Sequence, residues 1–107
     1  MLGVWLMSYF AGAQDYSERL TTENKSFKTT SGTVVNATVG SLTVAENRIN
    51  PDSENIAVQF IQLKSTNSEP DVPLIYLEGG SGQSCTWQAE DPYYLERWLP
   101  FLEVSDI

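Results

Sequence analysis

The sequence predicts an α/β fold, and three features carry the prediction. Two segments of alternating apolar and polar residues, 33–44 and 56–63, flank a turn cluster and predict an antiparallel hairpin. A continuous apolar run at residues 74–77 predicts a third strand that is buried on both faces. This run opens into a glycine-rich loop, and a helix is expected to follow the loop.

The hairpin is the first predicted element. Residues 33–44 are rich in β-branched side chains, and Leu42 and Val44 share one face of the expected strand. The stretch 46–52 contains the Asn50-Pro51 pair and predicts a turn before the second strand. Residues 65–71 predict a loop between the hairpin and the third strand.

The helix is predicted from its start signal and its spacing. Asp91 is expected to cap it and Pro92 to occupy its first turn. Apolar residues recur at helical spacing from Leu95 onward, and Pro100 predicts that the helix ends before Leu102. The third strand lies near the last residue and would expose an unpaired sheet edge, so we expect residues 33–107 to be the truncated N-terminal portion of a larger domain.

The N-terminus predicts secretion. Residues 1–13 carry no charged side chain, are too short to span a bilayer as a helix, and end in the small-x-small pattern of a signal-peptidase site. We therefore expect a signal peptide over residues 1–13, a secreted or periplasmic location, and no stable membrane span after cleavage. A buried strand or helix of the fold is the alternative. Residues 14–32 are polar and are expected to form an N-terminal arm.

Composition excludes several functions. The chain has 107 residues, which allows one domain at most. Its net charge of −8 repels phosphate backbones, so no nucleic-acid partner is expected. Cys85 is the single cysteine, which rules out an internal disulfide framework, and we predict no metal and no cofactor. The chain has no histidine, so it cannot complete a Ser-His-Asp or Cys-His site by itself.

The glycine-rich loop at residues 79–82 is the motif that points to chemistry. A phosphate loop would need a lysine where Gln83 stands, and a dinucleotide fingerprint would need glycine or alanine where Cys85 stands. An oxyanion hole needs only backbone N–H groups, which glycine-rich loops can present to a developing negative charge. An ordinary tight turn is the alternative without chemistry.

The surroundings of the loop resemble a known enzyme family. Residues 40–48 (GSLTVAENR), Pro51, residues 56–60 (IAVQF) and residues 73–84 (PLIYLEGGSGQS) resemble the start of proline iminopeptidases and related tripeptidyl aminopeptidases. The resemblance covers about residues 39–107, and Ala45 and Ser81 stand where that family usually has proline. It implies the N-terminal part of an α/β-hydrolase fold and a serine peptidase or esterase acting on a peptide or other small acyl substrate.

The resemblance also implies site residues. Gly79, Gly80 and Ser81 would form the oxyanion loop through their backbone N–H groups, with Gly80 as the donor that family usage favours. Glu78 is a candidate for binding a substrate amine, although a carboxylate that braces the loop is the alternative. Trp87 is a candidate for the pocket wall, with core packing as its alternative.

Two neighbours of the loop are weaker candidates. Ser84 lies in a near miss of the Gly-x-Ser-x-Gly elbow, because Thr86 replaces the last glycine, and a loop-bracing hydroxyl is the better interpretation. Cys85 is interpreted as a small packed residue, since no base accompanies it.

Two functions follow from the sequence. The first is a fragment of a secreted, aminopeptidase-like serine hydrolase that contributes the oxyanion loop, lacks the nucleophile and histidine, and is inactive alone. The second is a small secreted β-rich binding or interaction domain with no catalysis.

Overall fold

A computed structural model describes residues 19–107 as a small, mostly β structure. Three strands form one antiparallel sheet in the order β1-β2-β3. These are β1 (Leu20–Lys28), β2 (Val34–Ala45) and β3 (Asn55–Leu63). Two helices follow, α1 (Thr86–Glu90) and α2 (Pro92–Leu102). The predicted signal peptide at residues 1–13 lies outside the described residues.

The predicted hairpin of β2 and β3 is confirmed. The two strands pair antiparallel in continuous register from Ala37 opposite Leu63 to Ala45 opposite Asn55. The connection closes with the Glu46 amide donating to the Glu54 carbonyl at 2.9 Å. β1 arises within the stretch expected to be a polar arm, and it pairs antiparallel with β2 across a tight turn in which Gly32 has a φ of +85°.

The predicted buried third strand is wrong, and with it the predicted α/β-hydrolase fold class. Residues 74–77 belong to no strand, and Ile75 and Leu77 are 86% and 80% exposed. In this run only Leu74 makes a backbone-to-backbone hydrogen bond, from its N–H to the Asp106 carbonyl at 2.9 Å. An apolar run indicates that a segment can be buried, whereas burial also needs neighbouring elements, and residues 19–107 place none on both sides of this run.

The start of α2 is confirmed, and its predicted end is wrong. The Asp91 side chain accepts hydrogen bonds from the amides of Tyr93 and Tyr94. Pro100 does not stop the helix, which continues to Leu102. Proline removes one helical hydrogen bond, but the last turn is held by the complete burial of Leu102 and by the Ser65 hydroxyl, which donates to the Leu102 carbonyl at 2.6 Å.

The core lies where one end of the sheet meets the helices. Leu95 and Leu102 of α2 are fully buried and pack with buried residues of the sheet and α1, namely Val35, Ala37, Leu63 and Ala89. Exposure along β3 falls from its exposed first five residues to the buried Leu63. The far end of β3 therefore stands clear of the core. Neither helix within residues 19–107 is long and apolar enough to cross a membrane.

Candidate functional site: a glycine loop beside an apolar cleft

The glycine-rich loop adopts a conformation that requires glycine. Gly80 and Gly82 have φ values of +94° and +74°, in the left-handed region that side chains disfavour. The Gln83 amide closes the turn on the Gly80 carbonyl at 3.4 Å. A side chain at Gly79 or Gly82 would meet no atom within 4 Å, so the loop is open to solvent.

The amides of the loop are free within the described chain. The N–H groups of Gly79, Gly80, Ser81 and Gly82 find no hydrogen-bond acceptor among residues 19–107. Successive amides in turns with left-handed residues can converge on an anion. The loop therefore has the donors that an oxyanion or other small anion requires.

Glu78 is tied to the neighbouring chain. Its Oε2 accepts hydrogen bonds from the Tyr76 hydroxyl at 3.0 Å and from Nε2 of Gln88 in α1 at 2.6 Å. These contacts fit the bracing role that the sequence left open for this carboxylate. Its Oε1 has no partner among the described residues, so one oxygen remains available to a ligand.

The Ser84 hydroxyl faces another hydroxyl and no base. Its Oγ lies 2.9 Å from Oγ1 of Thr86, and it accepts a long hydrogen bond of 3.4 Å from the Thr86 amide. The Cys85 thiol donates to the Tyr76 carbonyl at 3.8 Å. These contacts brace the end of the loop and leave neither residue activated as a nucleophile.

An apolar cleft of about 450 Å³ lies beside the loop. β3 forms one wall, residues 73–77 form the other, and Ala89, Trp98 and Ile107 contribute further lining. The lining includes Leu77 and Cys85, the residues that flank the loop region, so the loop lies at the rim. Sequence reasoning missed this cleft, because the cleft exists only where residues 74–77 stand apart from β3.

Trp87 does not line the cleft. It is 45% exposed and packs edge-to-face on Tyr94 with ring centroids 4.8 Å apart. Tyr76 and Trp98 form a second edge-to-face pair at 4.9 Å. Trp87 therefore packs on the surface of α2, and neither Trp87 nor Glu78 lines the cleft.

A carboxylate clasp joins α2 to the β1–β2 turn. Glu96 accepts hydrogen bonds from the Ser31 amide at 3.1 Å, the Ser31 hydroxyl at 2.8 Å and the Thr30 hydroxyl at 3.0 Å. Neighbouring donors lower the pKa of Glu96 from 4.5 to about 2. The largest cause is the Thr29 hydroxyl, which is hydrogen-bonded to that of Ser31, and the Ser31 and Thr30 donors add to it. Sequence reasoning missed the clasp, because its partners are 65 and 66 residues apart.

Within residues 19–107 no three His, Cys, Asp or Glu side chains are grouped so that they could hold a metal ion. No protein-family model, curated protein or solved structure matches the chain. The resemblance to proline iminopeptidases and the secreted location therefore stay predictions.

Proposed function

We propose that this chain supplies the oxyanion-binding part of a secreted serine hydrolase that is aminopeptidase-like. The observation that carries the proposal is the glycine loop at the cleft rim, whose amides at Gly79, Gly80 and Ser81 have no acceptor among the described residues. Oxyanion stabilisation by backbone amides recurs on unrelated folds, so the proposal does not depend on one architecture.

The chemistry divides between this chain and residues outside it. A serine attacks the substrate carbonyl, and negative charge develops on the carbonyl oxygen, where the loop amides donate hydrogen bonds. One such donor lowers the barrier by about 3–4 kcal/mol in known hydrolases. In the Ser-His-Asp arrangement an imidazole carries the proton, and since this chain has no histidine, the proposal assigns the nucleophile and its base to residues outside it.

The neighbours of the loop can position a substrate. The apolar cleft accommodates an acyl side chain, since its lining includes Leu77, Trp98 and Ala89. The free Oε1 of Glu78 can accept a hydrogen bond from a substrate amino group, while Tyr76 and Gln88 hold Oε2 in place. An amine contact at this position fits an enzyme that acts on the N-terminal end of a peptide.

The test is a titration with phenylphosphonate, an anion that mimics a tetrahedral oxyanion. We expect amide NMR shifts at Gly79, Gly80 and Ser81, and weaker binding by Gly80→Ala, whose side chain strains the loop. Gly79→Ala, where the added methyl meets no atom within 4 Å, is the matched control. Phosphonate shifts that avoid the loop would contradict the oxyanion role.

A turnover assay tests where the nucleophile lies. The chain alone is expected to leave p-nitrophenyl esters and aminoacyl p-nitroanilides uncleaved, because it lacks an imidazole. Ester hydrolysis that disappears in Ser84→Ala would place the nucleophile within this chain and overturn the division proposed above.

The second candidate is a binding domain without catalysis, which the open apolar cleft favours. It predicts a cooperative thermal unfolding transition for the chain and no response of the loop amides to phosphonate. The two candidates therefore differ in the behaviour of Gly80 and its neighbours.

A further inference from the structure

The outer edge of β1 is a long and regular strand edge. β1 pairs with β2 in continuous register, from Leu20 opposite Leu42 to Lys28 opposite Val34. Every residue of β1 except Phe27 is exposed, and the strand contains neither proline nor glycine. Within residues 19–107 no strand lies on the other side of β1. Such an edge is a template for a further strand unless charges or breaks oppose the pairing.

The hydrogen bonds at the β1–β2 turn show which backbone groups of β1 face outward. The Thr29 amide donates to the Thr33 carbonyl at 2.9 Å, so Thr29 directs its N–H toward β2. Directions alternate along an antiparallel strand, and the odd-numbered residues of β1 therefore bond to β2. The N–H and C=O groups of the even-numbered residues, such as Thr22, Asn24 and Ser26, face outward and have no partner in the described part of the chain.

The charges of β1 are complementary to those of a second copy of the same strand. When two copies pair antiparallel about Asn24, the whole strand is paired, and Glu23 of each copy lies opposite Lys25 of the other. Outward-facing residues then meet outward-facing residues, as an antiparallel ladder requires. Glu23 and Lys25 fall at non-hydrogen-bonded positions of the new ladder, where opposing side chains approach most closely.

Other registers lose this complementarity. A shift of one residue sets outward-facing backbone groups against inward-facing ones, which breaks the ladder. A shift of two residues centres the pair on Glu23 or on Lys25, and two like charges then lie directly opposite each other. Lysine on an edge strand ordinarily opposes pairing, but the register centred on Asn24 places each Lys25 opposite a carboxylate. The local charges of the strand therefore favour one register and one partner.

We infer that β1 is a self-association site, at which two copies of this chain join their three-stranded sheets into one antiparallel sheet. A two-fold axis passes beside Asn24, so both copies use the same surface. Thr22 of each copy lies opposite Ser26 of the other, and their hydroxyls can hydrogen-bond across the pair. One strand edge is a small interface, so the dimer is expected to exchange with the monomer. This inference does not depend on the proposed oxyanion role.

Sedimentation of the whole chain over a range of concentrations measures the dimerisation constant. Lys25→Glu is expected to weaken dimerisation by about tenfold, because both cross-strand ion pairs become pairs of like charge. Lys28→Glu makes the same change of net charge on the same strand but lies opposite Leu20, so it is the matched control. Exchange of the two charges, with Glu23→Lys and Lys25→Glu in one chain, is expected to restore dimerisation.

A mixing experiment makes the test specific for the register. Glu23→Lys and Lys25→Glu are each expected to dimerise weakly, whereas their equimolar mixture forms heterodimers, because each lysine then lies opposite a glutamate. Both residues are exposed and lie opposite the uncharged Val39 and Ala37 of β2, so neither change places like charges opposite each other within one chain. Circular dichroism checks that the variants fold.

Hydrogen exchange locates the contact on the unaltered chain, whether or not a variant folds. The amides of Thr22, Asn24 and Ser26 are expected to exchange more slowly as the protein concentration rises, and the amide of Gln59 on the outer edge of β3 is expected to stay unchanged. Exchange that is slow at every concentration would overturn the inference, because another segment of the chain would then cover the edge.

Three further outcomes would overturn the inference. They are a chain that stays monomeric at millimolar concentration, equal weakening by Lys25→Glu and Lys28→Glu, and no association in the mixture of the two single variants. A failed phosphonate titration leaves this result untouched, because phosphonate reports on the Gly79–Ser81 amides and sedimentation reports on β1.

Discussion

Replacing Gly80 by alanine puts a side chain on a residue whose φ is +94°, a conformation that costs a non-glycine residue about 1–3 kcal/mol. The added methyl would also lie 3.2 Å from Cγ of Gln83, a side chain that has to give way slightly. Alanine stabilises by about 0.4–1 kcal/mol at compatible sites, because it restricts the unfolded chain. The net expectation for Gly80→Ala is a loss of about 0.5–2 kcal/mol.

Gly79→Ala is the matched control for that change. Gly79 lies next to Gly80, has no positive φ, and would place its methyl in open space. It gains the same restriction of the unfolded chain without the backbone strain. The difference between the two variants therefore isolates the strain, and we expect Gly79→Ala to be the more stable by about 1–3 kcal/mol.

Urea unfolding followed by tryptophan fluorescence measures this difference. Trp87 and Trp98 report on the helices that follow the loop. Equal free energies of unfolding for the two variants, within about 0.5 kcal/mol, would refute the left-handed conformation of Gly80 and with it the orientation of the loop amides.

Two further predictions concern the contacts that hold the sheet and helices together. Leu102→Ala removes a fully buried side chain and is expected to lower the free energy of unfolding by about 2–5 kcal/mol, measured as a lower urea midpoint. Phe101→Ala, at a half-exposed position, is the control. Equal losses in the two variants would contradict the position of the core. Glu96→Gln is expected to destabilise the chain at neutral pH, because the carboxylate accepts hydrogen bonds from three donor groups of Ser31 and Thr30. The folded-state pKa of Glu96 is lowered from 4.5 to about 2, so this contribution is complete above about pH 4.5 and lost as the pH falls through about 2. The difference in urea midpoint between Glu96→Gln and the unaltered chain should narrow as the pH falls from about 4.5 to about 2, and a constant difference would contradict the clasp. Glu103→Gln, at an exposed position, is the control.

Local patterns predicted the elements that depend on near neighbours. The alternation in residues 33–44 and 56–63 predicted the β2–β3 hairpin, because a turn at 46–52 joins strands that are adjacent in sequence. Asp91 predicted the start of α2, since a cap needs only the next two or three amides. The turn-like glycines of residues 79–82 were likewise visible in the sequence, whereas their oxyanion role stays a prediction.

Tertiary structure decided what depends on distant partners. The apolar run at 74–77 had the composition of a buried strand, but burial requires neighbours on both sides, and the described chain leaves Ile75 and Leu77 exposed. Pro100 looked like a helix end, but burial of Leu102 keeps the last turn in place. The Glu96 clasp and the apolar cleft between β3 and residues 73–77 are each formed by residues far apart in sequence. The sequence by itself thus determined the hairpin, the helix cap and the left-handed glycine turn, and only the packing of distant segments determined where the cleft opens beside that turn.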